Sequence, residues 1–160
     1  MSPGGTVIRL AELRDALACA ALTMQHDREG GATIEPGFLD RYARAWLADR
    51  ARVTFIAEAS DGRPLGMITA AVITKLPSSR RPSAKWLHVS LLFVTADERC
   101  AGLGARLLDA LTRWASDHEV SRMQLHAAPA ARTLYERAGF ASPTDRFLEW
   151  HRDDLTTQPF

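Results

Sequence analysis

The sequence predicts a mixed α/β (α+β) fold. One central, mostly antiparallel sheet of six to seven strands carries helices on both faces. Three observations lead there. Apolar residues recur with helical spacing in some segments and as short β-branched or continuous runs in others, so both kinds of element are present. The elements run strand, two helices, a strand hairpin, then strand–helix–strand–helix–strands, an order that builds one mixed sheet covered on both sides. Finally, Val89–Leu108, reading VSLLFVTADERCAGLGARLL, takes the chain from an apolar run through a glycine-bearing loop into an amphipathic helix.

Taken in order, residues 6–10 after a Gly-Gly pair read as a first strand. Residues 11–26 form a first helix with Leu13, Leu17, Ala20, Ala21 and Met24 as its apolar stripe. Residues 27–37 are a charged, glycine-rich loop. A second helix covers about residues 38–50, with Phe38, Tyr42, Ala45 and Trp46 on one side and Pro36 near its start. Residues 53–58 and 65–76 pair as a hairpin around the turn Ser60-Asp61-Gly62-Arg63-Pro64. Residues 77–83 are a polar connection, and residues 86–95 are the strand entering the glycine loop. A helix at 103–118, a strand at 121–127, a short helix at 130–138 and final strands at 140–141 and 146–151 complete the order. No interior boundary interrupts it, so the expectation is one domain over residues 1–160, with its core at about 5–153.

Bulk properties exclude several functional classes. With 160 residues, 46% apolar and 24% charged, the chain is long enough for a real core. Twenty basic against 19 acidic residues give no electrostatic reason to expect nucleic acid or an anionic membrane as partner. Cys19 and Cys100 are too few for a disulfide framework and have no metal-ligand spacing. No signal segment and no apolar run of about 20 residues is present, so a soluble cytoplasmic protein without a metal is expected.

The glycine loop is where chemistry starts. A strand–loop–helix junction aims unpaired first-turn amides and the positive end of a helix dipole at one point, which suits a phosphate or pyrophosphate. In Arg99-Cys100-Ala101-Gly102-Leu103-Gly104 the two glycines remove side chains where a ligand must approach closely. A tight turn with close helix packing would use the same residues. The spacing is neither that of the P-loop nor that of the dinucleotide fingerprint. Downstream, Arg132-Thr133-Leu134-Tyr135-Glu136-Arg137-Ala138-Gly139-Phe140 places Leu134 and Ala138 toward the core and ends its helix at Gly139. Tyr135 carries a phenol that can donate a proton, although packing is the commoner role of such a residue.

Together the two segments resemble the GNAT superfamily of acetyl-CoA-dependent N-acetyltransferases. Arg99, Gly102 and Gly104 match its Arg/Gln-x-x-Gly-x-Gly/Ala signature, and Leu134, Tyr135, Glu136, Gly139 and Phe140 match its Leu-Tyr-Glu-x-x-Gly-Phe helix. The match is strong over about residues 86–150, while residues 1–75 agree only in element order. The resemblance implies a GNAT-like fold and transfer of an acetyl group from acetyl-CoA to a primary amine of a small molecule, by direct attack in a ternary complex. It implies that backbone groups of Leu92, Phe93 and Val94 bind the pantetheine arm. The loop amides of Cys100, Ala101, Gly102, Leu103, Gly104 and Ala105 would cradle the pyrophosphate, and Tyr135 would protonate the leaving thiolate. Two departures stand out. Cys100 sits where glycine or arginine is usual, and Ala128 replaces an Asn that touches the cofactor in many members. Arg132 is a substitute that could reach a phosphate instead.

An attacking amine must lose a proton, so the resemblance also directs attention to His88, six residues before Val94, where several members place a Glu base and the aralkylamine N-acetyltransferases a histidine. If Leu92 and Val94 face one side, strict alternation places His88 and Ser90 there too. An idle, half-solvated histidine is the competing reading. His126 is a weaker candidate, and His26, His118 and His151 read as surface residues. Acceptor specificity is expected, by the resemblance, from residues 27–37, the ends of the second helix and the segment from Pro143 to Arg146, with Asp27, Glu29 and Glu35 available to an ammonium group and Trp46 and Trp86 to a pocket wall. Two rival readings remain: a non-catalytic acyl-CoA-binding module, and an acetyltransferase acting on a protein N-terminus or lysine. A homodimer is also left open.

Overall fold

In the computed structural model, which describes residues 5–81, 84–143 and 148, the chain forms two compact units, Met1–Leu125 and His126–Phe160. The first is built on a five-stranded sheet of order β1-β2-β3-β4-β5, with β1 Val7–Leu10, β2 Arg52–Glu58, β3 Pro64–Thr74, β4 Lys85–Val94 and β5 Val120–Gln124. The first four strands pair antiparallel and β4 pairs parallel with β5. The helices of this unit are α1 Ala16–Glu29, α2 Phe38–Ala48 and α3 Leu103–Asp117. The mixed, mostly antiparallel sheet is as expected, with five strands among the described residues where six to seven were expected. Phe140 and Ala141 are not in a strand, because the chain there is occupied in ending a helix. Apart from Leu148, the expected strand at 146–151 lies outside the described residues.

Alternation explains the two layers. Ile56, Met67 and Phe93 are register partners in one cross-strand row, and with Cys19 and Leu22 of α1 they form a buried cluster flanked by Tyr42 and Trp46 of α2. The opposite sheet face buries Ile68, Ala70, Leu87 and Val89, and α3 covers it with Leu103, Leu107, Leu108 and Leu111. Each fully buried leucine or isoleucine contributes roughly 1.5–3 kcal/mol. Burial also pushes the Cys19 thiol up to about 12, so it stays a neutral core filler.

The stripe expected on α1 is displaced. Leu13 and Leu17 are 74% and 61% exposed, while Ala16, Cys19, Ala20 and Leu22 are buried. The reason lies before the helix: Leu13–Asp15 is a 3₁₀ turn, so the α phase starts only at Ala16. Small residues then set the buried side, which lets α1 lie close to the sheet. The turn is fixed by Arg9 of β1, whose guanidinium donates to Asp15 at 2.7 and 3.0 Å and to Glu58 at 3.0 and 2.9 Å. Asp15 Oδ2 also accepts the Glu12 amide at 2.7 Å. Among these partners both carboxylates are held below their ordinary range, and the Arg9 guanidinium above its own.

In the second unit, a 3₁₀ turn Pro129–Ala131 leads into α4 Arg132–Arg137. Gly139 at φ 94° closes it, and the Phe140 amide donates to the Tyr135 carbonyl at 3.0 Å. Tyr135 is the buried residue of this helix, whereas Ala138, expected toward the core, is exposed because it already lies in the cap.

Asp15 gives the first prediction. Asp15→Asn lowers stability by about 1–3 kcal/mol at neutral pH, because it leaves Arg9 short of a partner. Asp15 titrates below its unfolded value, so its contribution is complete above about pH 4 and fades as pH falls further. Chemical denaturation of wild type and variant across pH 2.5–7 should show the gap between them closing at the acid end.

Candidate active site

The glycine loop, expected to act as an anion cradle, is formed as a turn leading into a helix. A 3₁₀ turn Ala96–Glu98 follows β4, and Cys100 and Gly102 both take left-handed backbone angles, φ 64° and 79°. Gly102 is the N-cap of α3 and offers no side-chain cap; the first bond closing the helix runs from the Arg106 amide to the Gly102 carbonyl at 3.1 Å. The amides of Leu103, Gly104 and Ala105 therefore precede the intrahelical ladder. A Cβ at Gly102 would meet no atom within 4 Å, so the space above the loop is open to a ligand. Cys100 is exposed and accepts a conformation normally left to glycine.

Arg99 is not turned into this cradle. Its Nε donates to the Val94 carbonyl at 2.9 Å, its Nη2 pairs with Glu29 at the end of α1, and its guanidinium lies 5.4 Å from the Phe93 ring centroid. In the second unit Arg132 is likewise engaged, with Glu136 at 2.7 Å and Ser142 at 2.9 Å. Tyr135 lies edge-on to Phe140, with ring centroids 5.8 Å apart. Burial holds its phenol above the ordinary range, so it stays protonated through neutral pH.

The strand above the loop contains the feature that alternation missed. Thr69 pairs with Leu91 and Ala70 with Val89, so Ser90 is an extra residue on β4, a β-bulge. The bulge shifts the phase of everything before it. His88 pairs with Ala71 and shares the sheet face of Leu91 and Phe93, not that of Leu92 and Val94. Two residues earlier Trp86 lies on the same face, its ring 5.1 Å from the Arg122 guanidinium. β4 pairs with β5 only from Lys85 to His88, and β5 ends at Gln124. From Val89 to Val94 no β5 residue pairs with β4, and at the end of this stretch the Val94 carbonyl is taken by Arg99.

On the same face a cleft of about 370 Å³ opens between α1, α2 and the sheet. Tyr42 and Trp46 are its aromatic walls, and Thr69, Ser90 and Leu91 its floor. A buried hydroxyl chain stiffens that floor, with Trp46 Nε1 donating to Thr54 Oγ1 at 3.2 Å and Thr54 2.8 Å from Thr69. Charged groups line it as well: Asp27, and the Arg52–Asp49 pair at 2.9 Å. Desolvation raises the Tyr42 phenol, so it too is neutral.

Of the three acids expected to meet an ammonium group, only Asp27 lines the cleft. Glu29 pairs with Arg99 and Glu35 with Arg41. Of the specificity segment from Pro143 to Arg146, only Pro143 is among the described residues. His118 stacks on Trp114 at 4.0 Å on the surface, and His126 is exposed. His26 is exposed as expected, but its ring lines the cleft, which the helical stripe as first drawn could not reveal. Asp49 lines it at the end of the second helix, one of the regions expected to set acceptor specificity, whereas Arg52, at the start of a strand, carries no motif and was missed.

The GNAT acetyltransferase family model matches residues 14–140, four-fifths of the chain. The chain belongs to the GNAT acetyltransferases. Its mixed sheet with helices on both faces is the GNAT fold. Over 72 residues it is 40% identical to an L-2,4-diaminobutyric acid acetyltransferase of Streptomyces avermitilis, a match covering 45% of this chain and 36% of that relative's length. A predicted acetyltransferase from Clostridium acetobutylicum, crystallised with acetyl-CoA, has the same fold at a TM-score of 0.76 and 20% identity, over 92% of this chain and 96% of the other. A ribosomal-protein-alanine N-acetyltransferase from Brucella melitensis biovar Abortus superposes at 0.71 with 26% identity, covering 92% and 99%. Among the described residues, no group of three or more His, Cys, Asp or Glu is placed to hold a metal, and no helix is long and apolar enough to cross a membrane.

Gly102→Ala tests the cradle's backbone. The substitution forces an L-residue into φ 79° without a clash, so a stability loss of about 1–2 kcal/mol is expected in thermal unfolding.

Proposed function

We propose that this GNAT enzyme transfers the acetyl group of acetyl-CoA to a primary amine of a small molecule, in one domain spanning residues 1–160, in a soluble cytoplasmic setting. The observation that carries the proposal is the continuity of one strand, β4. It runs from an anion cradle at its C-terminal end, past an unpaired edge, to a bulge that opens on a cleft. The family match over 14–140 crosses both compact units, which supports treating them as a single domain.

In this reading the amides of Cys100 to Ala105 hold the pyrophosphate, and Arg99 and Arg132 are the cations that exchange their present acid partners for it. Backbone groups of Leu92, Phe93 and Val94 align the pantetheine arm, and the cleft receives the amine. The cleft's volume and aromatic walls suit a compact amine better than a folded protein substrate, and the named relative acts on a small diamino acid. Attack of the amine nitrogen on the thioester carbon forms the C–N bond as the C–S bond breaks. Tyr135 gives its proton to the departing sulfur, and His88, on the cleft face, takes the proton that the nitrogen sheds.

The test is thiol release from acetyl-CoA across a panel of amines, diamino acids included, with a peptide N-terminus and a peptide lysine as contrasts. Turnover with peptides alone would overturn the small-molecule assignment, and acetyl-CoA binding without turnover would make the protein a binding module. Tyr135→Phe is expected to lower kcat by about 10²-fold with little change in KM for acetyl-CoA, and His88→Ala to lower kcat by about 10-fold or more. Unchanged kcat in either variant removes that residue from its role.

A further inference from the structure

We propose that His26 is a second proton acceptor of the amine site, taking the proton of the incoming ammonium before attack, with Asp27 as its positioning residue. The inference rests on reading the cleft as the amine pocket. A primary aliphatic amine near the lysine value of about 10.4 is almost entirely protonated at neutral pH, and its lone pair must be freed before it can attack. A GNAT reaction that begins from an ammonium ion therefore sheds two protons from nitrogen, and one base accounts for one of them.

His26 has the chemistry and the placement for the first. Its Nδ1 lies 3.1 Å from Asp27 Oδ1. The carboxylate accepts from Nδ1–H, which leaves Nε2 as the nitrogen that takes a proton. Its ring stands edge-on to Phe93 at 5.8 Å, so it is seated on a residue whose backbone is assigned to the pantetheine arm. The side chain is half exposed, with 50% of its surface open, so a captured proton can pass on to water. It also occupies the last turn of α1, next in sequence to Asp27.

The surrounding charges agree. Arg99 shares the Phe93 ring, but its charge is taken up by Glu29, and Arg52 is taken up by Asp49. Arg28 adds a cation on the same turn, Asp27 an anion in contact, and the neutral Tyr42 phenol faces from α2. His26 and His88 lie toward opposite ends of β4's cleft-facing side, with the Ser90 bulge between them.

The proton balance closes. His26 Nε2 takes one proton from the ammonium and releases it to solvent. The freed lone pair forms the C–N bond, the C–S electron pair leaves on sulfur, Tyr135 protonates the thiolate, and His88 takes the second nitrogen proton, from which the phenol is restored through water.

The experiment is steady-state kinetics of wild type and His26→Gln with two acceptors that the enzyme turns over, one strongly basic and one weakly basic and so neutral at pH 7. Calorimetric acetyl-CoA binding is measured alongside. For the basic amine, kcat/KM at pH 7 should fall about 10²-fold, the deficit should shrink as pH rises toward about 10, and the weakly basic amine should be almost unaffected, with acetyl-CoA affinity unchanged. Asp27→Asn should give a smaller loss of the same pattern, together with a changed Nδ1–H tautomer signature for His26 in nitrogen NMR. Equal losses for both amines and at every pH would overturn the proposal in favour of a packing role, and so would no loss at all. If wild type binds acetyl-CoA yet turns over no amine, the pocket reading itself falls and takes the base assignment with it. Turnover with a retained His26→Gln rate overturns only the base assignment.

Discussion

The organisation of this protein depends on what β4 is bonded to on each side. Up to His88 it is a central strand, held by β3 and β5; beyond it, β3 alone among these two continues. Backbone groups cannot be left without partners cheaply in a folded interior, so a strand that loses one neighbour must meet water or a ligand there. Ser90 sits at the change. The extra residue reverses the alternation, so Leu91 and Phe93 join the cleft face together with His88. One inserted residue thereby decides which side chains can reach an acceptor.

Around that strand the other features are supports. Arg9, Asp15 and Glu58 fix where α1 begins, and the small residues of α1 bring it close enough to the sheet to wall a cleft. Gly66 allows β3 to approach β4 closely at the level of Phe93 and Val94: a Cβ there would lie 2.7 Å from the Phe93 carbonyl oxygen. The hydroxyl chain from Trp46 through Thr54 to Thr69 gives the cleft a floor whose polar groups are already satisfied.

Much of this was legible in the residues, for local reasons. The two signatures, Arg99 to Gly104 and Leu134 to Phe140, encode a loop conformation and a helix cap, and both formed as their glycines require. Helix and strand positions followed from periodicity. Three things were not legible. The phase of α1 was set by a 3₁₀ turn tied to a distant strand, so Leu13 and Leu17 were placed inside when they are outside. The bulge at Ser90 has no composition of its own and inverted the facing of His88. His26 reads as a surface residue and is exposed; that its ring also lines the cleft depends on where α2 and β4 pack, which local spacing does not carry.

The contact between Arg99 and Glu29 has a thermodynamic consequence. It links residues 70 apart in sequence, the anion loop on one side and the end of α1, next to His26 and Asp27, on the other. On the proposed function, a guanidinium that turned from Glu29 toward a bound phosphate would change the electrostatics of the cleft wall at Asp27, and an ammonium held beside Asp27 would in turn change how firmly Glu29 keeps Arg99 from the phosphate. By linkage these effects are equal: whatever factor the donor imposes on acceptor affinity, the acceptor imposes on the donor. The coupling between the two substrates would then reside in one exposed ion pair, and dissolved salt, which screens such pairs, would loosen it.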